Sequence, residues 1–159
     1  VDLREVIATL KIATDLERIG DLAKNNAKRV LAMNAQTYPA GIGTNLDTLT
    51  ERVKEQLADV MQAYARRDAA LAAEVWGRDS EIDAIHTALF RELLTYMMED
   101  PRRIGFCTHL LFCAKNLERI GDHATNIAET VNYIATGRFL SGERPRGPSP
   151  ANEPPGTGG

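Results

Sequence analysis

The sequence predicts an all-α fold of long antiparallel helices, and three observations support this prediction. Apolar residues recur at helical spacing over most of the chain. A 21-residue segment with this spacing occurs twice, which indicates a duplicated helical unit. Outside the last 19 residues the chain has only two prolines, Pro39 and Pro101, and both fit boundaries between helices.

The first two helices are expected on either side of a loop that contains Pro39. The first helix covers residues 2 to 33, where apolar residues recur every three or four positions. The loop is predicted from its composition of proline, alanine and glycine. The second helix runs from 45 to 67, with Thr44 or Asn45 as its N-cap.

The last two helices are expected behind aspartate caps. Asp68 precedes a third helix over residues 68 to 98. Asp100 precedes Pro101, which occupies the first position of a fourth helix over residues 101 to 137. At about 1.5 Å per residue the fourth helix would be roughly 55 Å long, which favours helices packed side by side in a bundle.

The fourth helix carries one copy of an internal repeat, and the first helix carries the other. Residues 10–30 and 111–131 align at an offset of 101 with twelve identities in 21 positions. The longest shared run is Leu-Glu-Arg-Ile-Gly-Asp, at 16–21 and at 117–122. Two long helices precede the second copy, but only about ten residues precede the first. Symmetry therefore predicts two further helices, about 60 to 70 residues, upstream of Val1.

This repeat and the terminal composition divide the chain into three parts. Residues 1–36 are expected to be the last helix of an otherwise missing three-helix bundle. Residues 44–138 should form a second, complete three-helix bundle. Residues 139–159 should form a disordered tail, because the last 19 residues hold five of the seven prolines and five of the twelve glycines.

Composition and charge exclude several classes of protein. The chain has 159 residues, of which 43% are apolar and 26% charged, with a formal net charge of -3. A nucleic-acid-binding domain normally has a clustered basic excess, so no nucleic-acid partner is expected. No apolar run approaches the roughly 18 residues of a membrane span, and the first residues lack the features of a signal peptide. We therefore expect a cytoplasmic protein.

Pairs of carboxylates recur one helical turn apart. Glu118 and Asp122 have i,i+4 spacing in the second copy of the repeat, and Asp79 and Asp83 have it in the third helix. Antiparallel packing of the third and fourth helices would bring these pairs together. Carboxylate oxygens suit Mg, Ca, Mn or oxidised iron, and the absence of thiolate partners disfavours a structural zinc site. The alternative is a solvated face whose charges are neutralised by nearby arginines and lysines.

Several motifs together resemble the PhoU family of phosphate-signalling proteins. They are the duplicated Leu-Glu-Arg-Ile-Gly-Asp, Asp2-Leu3-Arg4 before its first copy, Asp79-x-x-x-Asp83, and the run from Tyr96 to Arg102. The resemblance covers nearly everything from residue 2 to about 137. It implies two tandem three-helix bundles, of which the first is truncated here.

The resemblance also implies a function and a cofactor. Members of the family are adaptors between the phosphate ABC transporter and its sensor histidine kinase, and they repress the phosphate-starvation response. The implied partners are therefore the transporter ATPase and the kinase, with membrane association only through them. The implied cofactors are metal ions, as a multinuclear iron cluster or as Mg, Mn or Zn. The implied metal ligands of the second copy are Asp79, Asp83, Glu118, Asp122, Asn126 and Glu129.

In the first copy the implied metal site is incomplete. Its motif falls on Glu17, Asp21 and Asn25, but Lys28 stands where the second copy has Glu129. The preceding helix that should supply partner carboxylates is also absent. The first helix would thus lack its own bundle, and we expect self-association, most simply as a dimer. Its predicted apolar face consists of Leu3, Ile7, Leu10, Ala13, Leu16, Ala23, Ala27 and Val30.

Two other functions compete with a regulatory adaptor. A helical oligomerisation module without metal would explain the apolar spacing but not the repeated carboxylates. A carboxylate-bridged di-metal enzyme would require paired Glu-x-x-His motifs across a four-helix bundle. The chain has no Glu-x-x-His, and Asp83-x-x-His86 is a single partial match. We therefore expect a protein that is not an enzyme.

Overall fold

The computed structural model describes residues 2–33 and 42–140, and within these ranges the regular structure is entirely helical. The predicted all-α class is therefore confirmed. The loop around Pro39 and residues 141–159 of the predicted tail lie outside the described residues. A 3₁₀ turn precedes the last helix. The helices are α1 (Leu3–Met33), α2 (Ile42–Arg66), α3 (Ala69–Gly77), α4 (Asp79–Glu99) and α5 (Ile104–Thr136), and the 3₁₀ turn is Pro101–Arg103.

The last helix, α5, is the centre of the fold because it packs against each of the other four helices. α1 runs antiparallel to it. The guanidinium of Arg4, at the start of α1, lies 5.3 Å from the ring centre of Tyr133, near the end of α5. Towards the other end, the Asn116 amide donates to the Asn26 side-chain oxygen at 2.9 Å. The two copies of the sequence repeat therefore pack against each other.

The helices α2, α3, α4 and α5 enclose a shared apolar core. Burying one large apolar side chain stabilises the fold by about 1.5–3 kcal/mol. The core combines residues at helical spacing from α2 with residues from the three later helices, so it forms only when distant parts of the chain meet. Its members that are 0–1% exposed include Leu49, Val60, Ala63, Val75, Leu89, Leu93, Leu110 and Ile127.

The prediction of one continuous third helix over residues 68 to 98 is wrong in one respect, because the helix is interrupted at Arg78. Gly77 has low helix propensity and ends α3. The turn then tightens, since the amide of Glu81 donates to the Arg78 carbonyl three residues back at 3.1 Å. The break makes Asp79 the first residue of α4, where the positive end of the helix dipole favours a carboxylate. The predicted cap Asp68 is confirmed, because it accepts a bond from the Leu71 amide at 3.0 Å.

Two other predicted boundaries also shift. α2 begins at Ile42, so Thr44 and Asn45 lie inside the helix and do not cap it. Asp100 does cap the next element, accepting from the Arg102 amide at 3.1 Å. That element is the 3₁₀ turn rather than the first turn of an α-helix, so α5 begins only at Ile104.

The predicted apolar face of α1 is mostly exposed. α1 packs on α5 through a neighbouring face, whose buried residues include Ile12 and Ile19. These two residues are the repeat counterparts of Cys113 and Ile120, which are buried on α5. On the predicted face the side chains stand out from the core, with exposed fractions of 71% for Leu3, 50% for Ile7, 63% for Leu10 and 54% for Val30.

None of the described helices is both long and apolar enough to span a bilayer. The division of the chain into residues 1–36, 44–138 and 139–159 stays a prediction.

Candidate metal centre

Three carboxylates meet between α4 and α5. Asp79 and Asp83 come from α4, and Asp122 comes from α5. Each offers one oxygen, and these three oxygens lie within 4.8 Å of one another. Asp79 is only 1% exposed, whereas the other two side chains are half-buried. The sequence predicted these three residues as ligands, and the fold brings them together.

The glycine of the repeated hexapeptide allows the two helices to approach. A Cβ atom placed on Gly121 would lie 3.3 Å from Ile82 Cδ1 and 3.5 Å from Ile82 Cγ2. The shorter distance is tighter than an ordinary carbon–carbon contact, and the longer one is an ordinary van der Waals contact. Because Gly121 precedes Asp122 directly and Ile82 precedes Asp83, this close contact sets the distance between the acidic side chains of the two helices.

A buried hydrogen-bond network holds Asp79. The Thr125 hydroxyl lies 3.0 Å from Asp79 Oδ1, and the Gln56 amide nitrogen donates to the Thr125 oxygen at 2.9 Å. The same amide group lies 3.4 Å from the Gly121 carbonyl oxygen. Gln56 is 2% exposed and Thr125 is fully buried. The carboxylate is therefore supported by side chains from α2 and α5.

Glu118 is predicted as a ligand but does not belong to the three-carboxylate group. Its Oε2 lies 2.8 Å from the ammonium of Lys115 on the same helix. Burial raises the pKa of the Glu118 carboxyl, but Lys115 and a hydrogen bond with Asp122 lower it more, so the net pKa lies below its usual value. His86 is half-buried nearby, and burial lowers its pKa in spite of the opposing charge of Glu118. Glu118 is thus anionic and already paired with a cation.

The two remaining predicted ligands lie further along α5. Asn126 is one turn beyond Asp122 on the same helix and is half-buried. Glu129 accepts a hydrogen bond from the indole Nε1 of Trp76 at 3.0 Å. Trp76 belongs to α3, on the other side of the helix break. The structure therefore gives Glu129 a role in joining α3 to α5.

The first copy of the repeat has no comparable cluster among the residues that the structure describes. Glu17, Asp21 and Asn25 are all exposed on α1. The Asn25 side-chain oxygen accepts a bond from Arg29 Nε at 3.2 Å. A Cβ atom on Gly20 would have no neighbour within 4 Å, so none of the described helices packs closely at this position.

The donor set around Asp79 fits a hard cation. Three carboxylate oxygens this close repel one another unless a cation or bound protons neutralise them. Oxygen-only ligands suit Mg, Ca or Mn better than softer metals. Such an ion would be held by Asp79, Asp83 and Asp122, from the two helices that Gly121 brings together.

Sequence reasoning missed Thr125 and Gln56, although Gln56 left a signal. On α2 the buried residues Leu49, Val53, Gln56 and Val60 follow one another at spacings of four, three and four. A glutamine within such an apolar stripe indicates a polar partner across the interface. Thr125 gave no comparable signal, because threonine is common on half-buried helical faces.

Fold and site define a class of protein: a helical bundle around a duplicated helix, with a cluster of carboxylates between two of its helices. The chain belongs to the family described by the PhoU domain, whose model matches residues 1–30 and 46–131.

Named relatives and solved structures agree with this membership. The chain is 59% identical over 145 residues to the "Phosphate-specific transport system accessory protein PhoU homolog" of Rhizobium meliloti, which covers 91% of this chain. It spans 61% of the length of that relative. The crystal structure of PhoU from Pseudomonas aeruginosa has a TM-score of 0.82 at 39% identity, covering 86% of this chain and 66% of that one.

A second solved structure is the phosphate transport system regulatory protein PhoU from Streptococcus pneumoniae, with a TM-score of 0.79 at 31% identity. The match covers 88% of this chain and 66% of the Streptococcus pneumoniae chain. These names describe accessory or regulatory proteins, which agrees with the prediction that the chain is not an enzyme.

Proposed function

We propose that this chain is the metal-binding part of a regulatory protein of phosphate uptake. The observation that carries the proposal is the meeting of Asp79, Asp83 and Asp122 within 4.8 Å between α4 and α5. An ion there would join the two helices and neutralise their carboxylates, so that metal binding would stabilise the bundle. The relatives named as phosphate transport accessory or regulatory proteins supply the biological setting.

The proposed role is that of a cytoplasmic adaptor and negative regulator. It would bind the ATPase of the phosphate ABC transporter and the sensor histidine kinase, and it would repress the phosphate-starvation response when phosphate is plentiful. Long helices with exposed faces suit this role, because such surfaces can bind other proteins without any catalytic group. Membrane association would occur only through these partners.

Metal content tests the first part of the proposal. Protein purified without chelators is analysed for Fe, Mn, Mg, Ca and Zn by inductively coupled plasma mass spectrometry. We expect bound metal in the parent chain and its loss in Asp83→Ala. The matched control is Asp47→Ala, an exposed carboxylate on α2 that should leave the metal content unchanged. A metal-free parent protein, or equal metal in Asp83→Ala, would overturn the metal site.

Partner binding and repression test the second part. The chain, completed upstream with the corresponding segment of its relatives, should co-purify with the transporter ATPase or the kinase. In a strain that lacks its own copy, it should repress a phosphate-responsive reporter. A stable, well-expressed protein that restores no repression would refute the regulatory role.

Exposed apolar residues on α1 favour a second function, helical self-association. Leu3, Leu10 and Leu31 are 71%, 63% and 81% exposed on one helix. Several large apolar side chains exposed on one helix are typical of a surface that binds another protein. We expect a dimer in sedimentation velocity, and Leu10→Gln should weaken it. A monomer at all concentrations would contradict this function.

A further inference from the structure

We propose that Thr125 and Gln56 are positioning residues that hold the Asp79 carboxylate in the orientation needed to bind metal. This inference rests on the proposed metal site and adds to it two residues outside the carboxylate motifs. Neither side chain would touch the ion. They would act through the hydrogen bond to Asp79, in the way that outer-shell groups orient metal ligands.

The first argument is the polarity of the hydrogen-bond chain. Thr125 has one hydroxyl proton, and both Asp79 Oδ1 and the Gly121 carbonyl lie 3.0 Å from its oxygen. A metal ligand must be ionised, and an ionised carboxylate is a stronger acceptor than a peptide carbonyl, so with metal bound the proton would point to Asp79. The two amide protons of Gln56 then serve the Thr125 oxygen at 2.9 Å and the Gly121 carbonyl at 3.4 Å. Each donor in this series of hydrogen bonds has an acceptor, and the series ends at the Asp79 carboxylate.

The second argument is burial. Gln56, Thr125 and Asp79 are 2%, 0% and 1% exposed, so the network is shielded from bulk solvent. Burying a polar group without a partner destabilises the fold. An apolar residue at position 56 would continue the stripe of Leu49 and Val60 without this requirement. The hydrogen bonds of Gln56 therefore explain a glutamine at this position better than packing does.

The third argument is what the network does to Asp79. This residue is the first of α4, directly after the break at Arg78. The bond from Thr125 fixes one carboxylate oxygen against α5. Because α2 supplies Gln56, the orientation of Asp79 depends on three helices at once.

The repeat supplies an internal comparison. At the offset of 101, the counterpart of Thr125 is Lys24, which is exposed on α1. The first copy of the repeat thus keeps the carboxylates Glu17 and Asp21 but lacks the hydroxyl. The supporting network belongs only to the copy in which the carboxylates converge.

The test compares Thr125→Val with Thr108→Val, and the probe is Mn²⁺ alone. Valine has the shape of threonine without its hydroxyl, and Thr108 donates its own hydroxyl to the Ile104 carbonyl within α5, far from the site. Free Mn²⁺ is followed by electron paramagnetic resonance, well below the unfolding temperature of each metal-free variant. We expect about tenfold weaker binding for Thr125→Val, in the range known for outer-shell groups. Thr108→Val should bind like the parent.

Two further variants separate positioning from general packing. Thr125→Ser keeps the hydroxyl and should retain affinity within about twofold. Gln56→Met keeps the size of the side chain and should weaken binding in the same direction as Thr125→Val. If Thr125→Val does not fold without metal, the Mn²⁺ affinity of Gln56→Met, compared with that of the parent, tests the positioning role.

The outcomes distinguish this inference from the function on which it rests. Parent protein that binds Mn²⁺, with equal affinity in Thr125→Val and Gln56→Met, overturns the positioning role and leaves the metal site intact. Parent protein that binds no Mn²⁺ overturns both. A loss of affinity in Thr125→Ser as large as in Thr125→Val would show that packing, rather than the hydroxyl, is responsible, and would also overturn the inference.

Discussion

The two glycines of the duplicated hexapeptide should respond differently to the same substitution. Gly20 and Gly121 occupy the same position in Leu-Glu-Arg-Ile-Gly-Asp and both lie inside long helices. Only Gly121 faces another helix at close range. Gly20→Ala and Gly121→Ala therefore form a matched pair that isolates the close approach of α4 and α5.

The expected magnitudes follow from the surroundings of each glycine. In a helix interior alanine is more favourable than glycine by about 1 kcal/mol. At Gly20 a Cβ would meet nothing within 4 Å, so Gly20→Ala should gain this full amount. At Gly121 the Cβ would lie 3.3 Å from Ile82, which is itself 2% exposed and cannot move freely. Overpacking a core costs about 1–3 kcal/mol, so Gly121→Ala should range from neutral to about 2 kcal/mol destabilising.

Urea unfolding followed by circular dichroism measures the difference. The free energies of unfolding of the two variants should differ by about 1–3 kcal/mol, with similar m-values. In thermal unfolding each kcal/mol corresponds to roughly 2–4 °C for a chain of this size. Equal stabilisation by both substitutions would refute the reasoning, because it would mean that the α4–α5 contact at Gly121 has room for a methyl group.

Three further predictions concern stability and reactivity. Asp68→Ala removes the cap bond to the Leu71 amide and should lower the free energy of unfolding by about 1 kcal/mol in urea titrations. Cys107 and Cys113 are buried and their thiol pKa values are raised by burial, so iodoacetamide should modify them only after denaturation, as read by intact mass; rapid labelling of native protein would contradict this. Burial lowers the pKa of His86, so the folded state disfavours its protonation. The free energy of unfolding should therefore decline as pH falls below about 6.5. In thermal melts between pH 7 and 5, His86→Gln should make this decline shallower.

Much of the fold could be predicted because the repeat and the caps are local signals. The apolar spacing predicted the helices, and Asp68 and Asp100 marked the starts of two of the later elements. The i,i+4 pairs on antiparallel helices predicted a cluster of Asp79, Asp83, Glu118 and Asp122, and the fold brings the three aspartates together. Each of these inferences needs only helix geometry and one packing direction.

The features that were not predicted depend on particular neighbouring residues, some close by on the same helix and some far along the chain. The break at Arg78 follows a glycine that the helical spacing alone did not mark as an end. Glu118 shares the i,i+4 spacing of the other carboxylates, but its neighbour Lys115 pairs with it. Glu129 bonds to Trp76, 53 positions earlier in the chain. Local spacing could not distinguish a residue in the cluster from one that bonds to a lysine or an indole.

The central claim is that the second copy of the repeat binds a metal ion and the first copy does not. The most direct measurement is a calorimetric titration of the metal-free chain with Mn²⁺, comparing Asp122→Ala with its repeat counterpart Asp21→Ala. We predict that Asp122→Ala abolishes binding, because its carboxylate lies within 4.8 Å of those of Asp79 and Asp83. Asp21→Ala should bind like the parent, because Asp21 is exposed on α1. Equal binding by the two variants would contradict the claim.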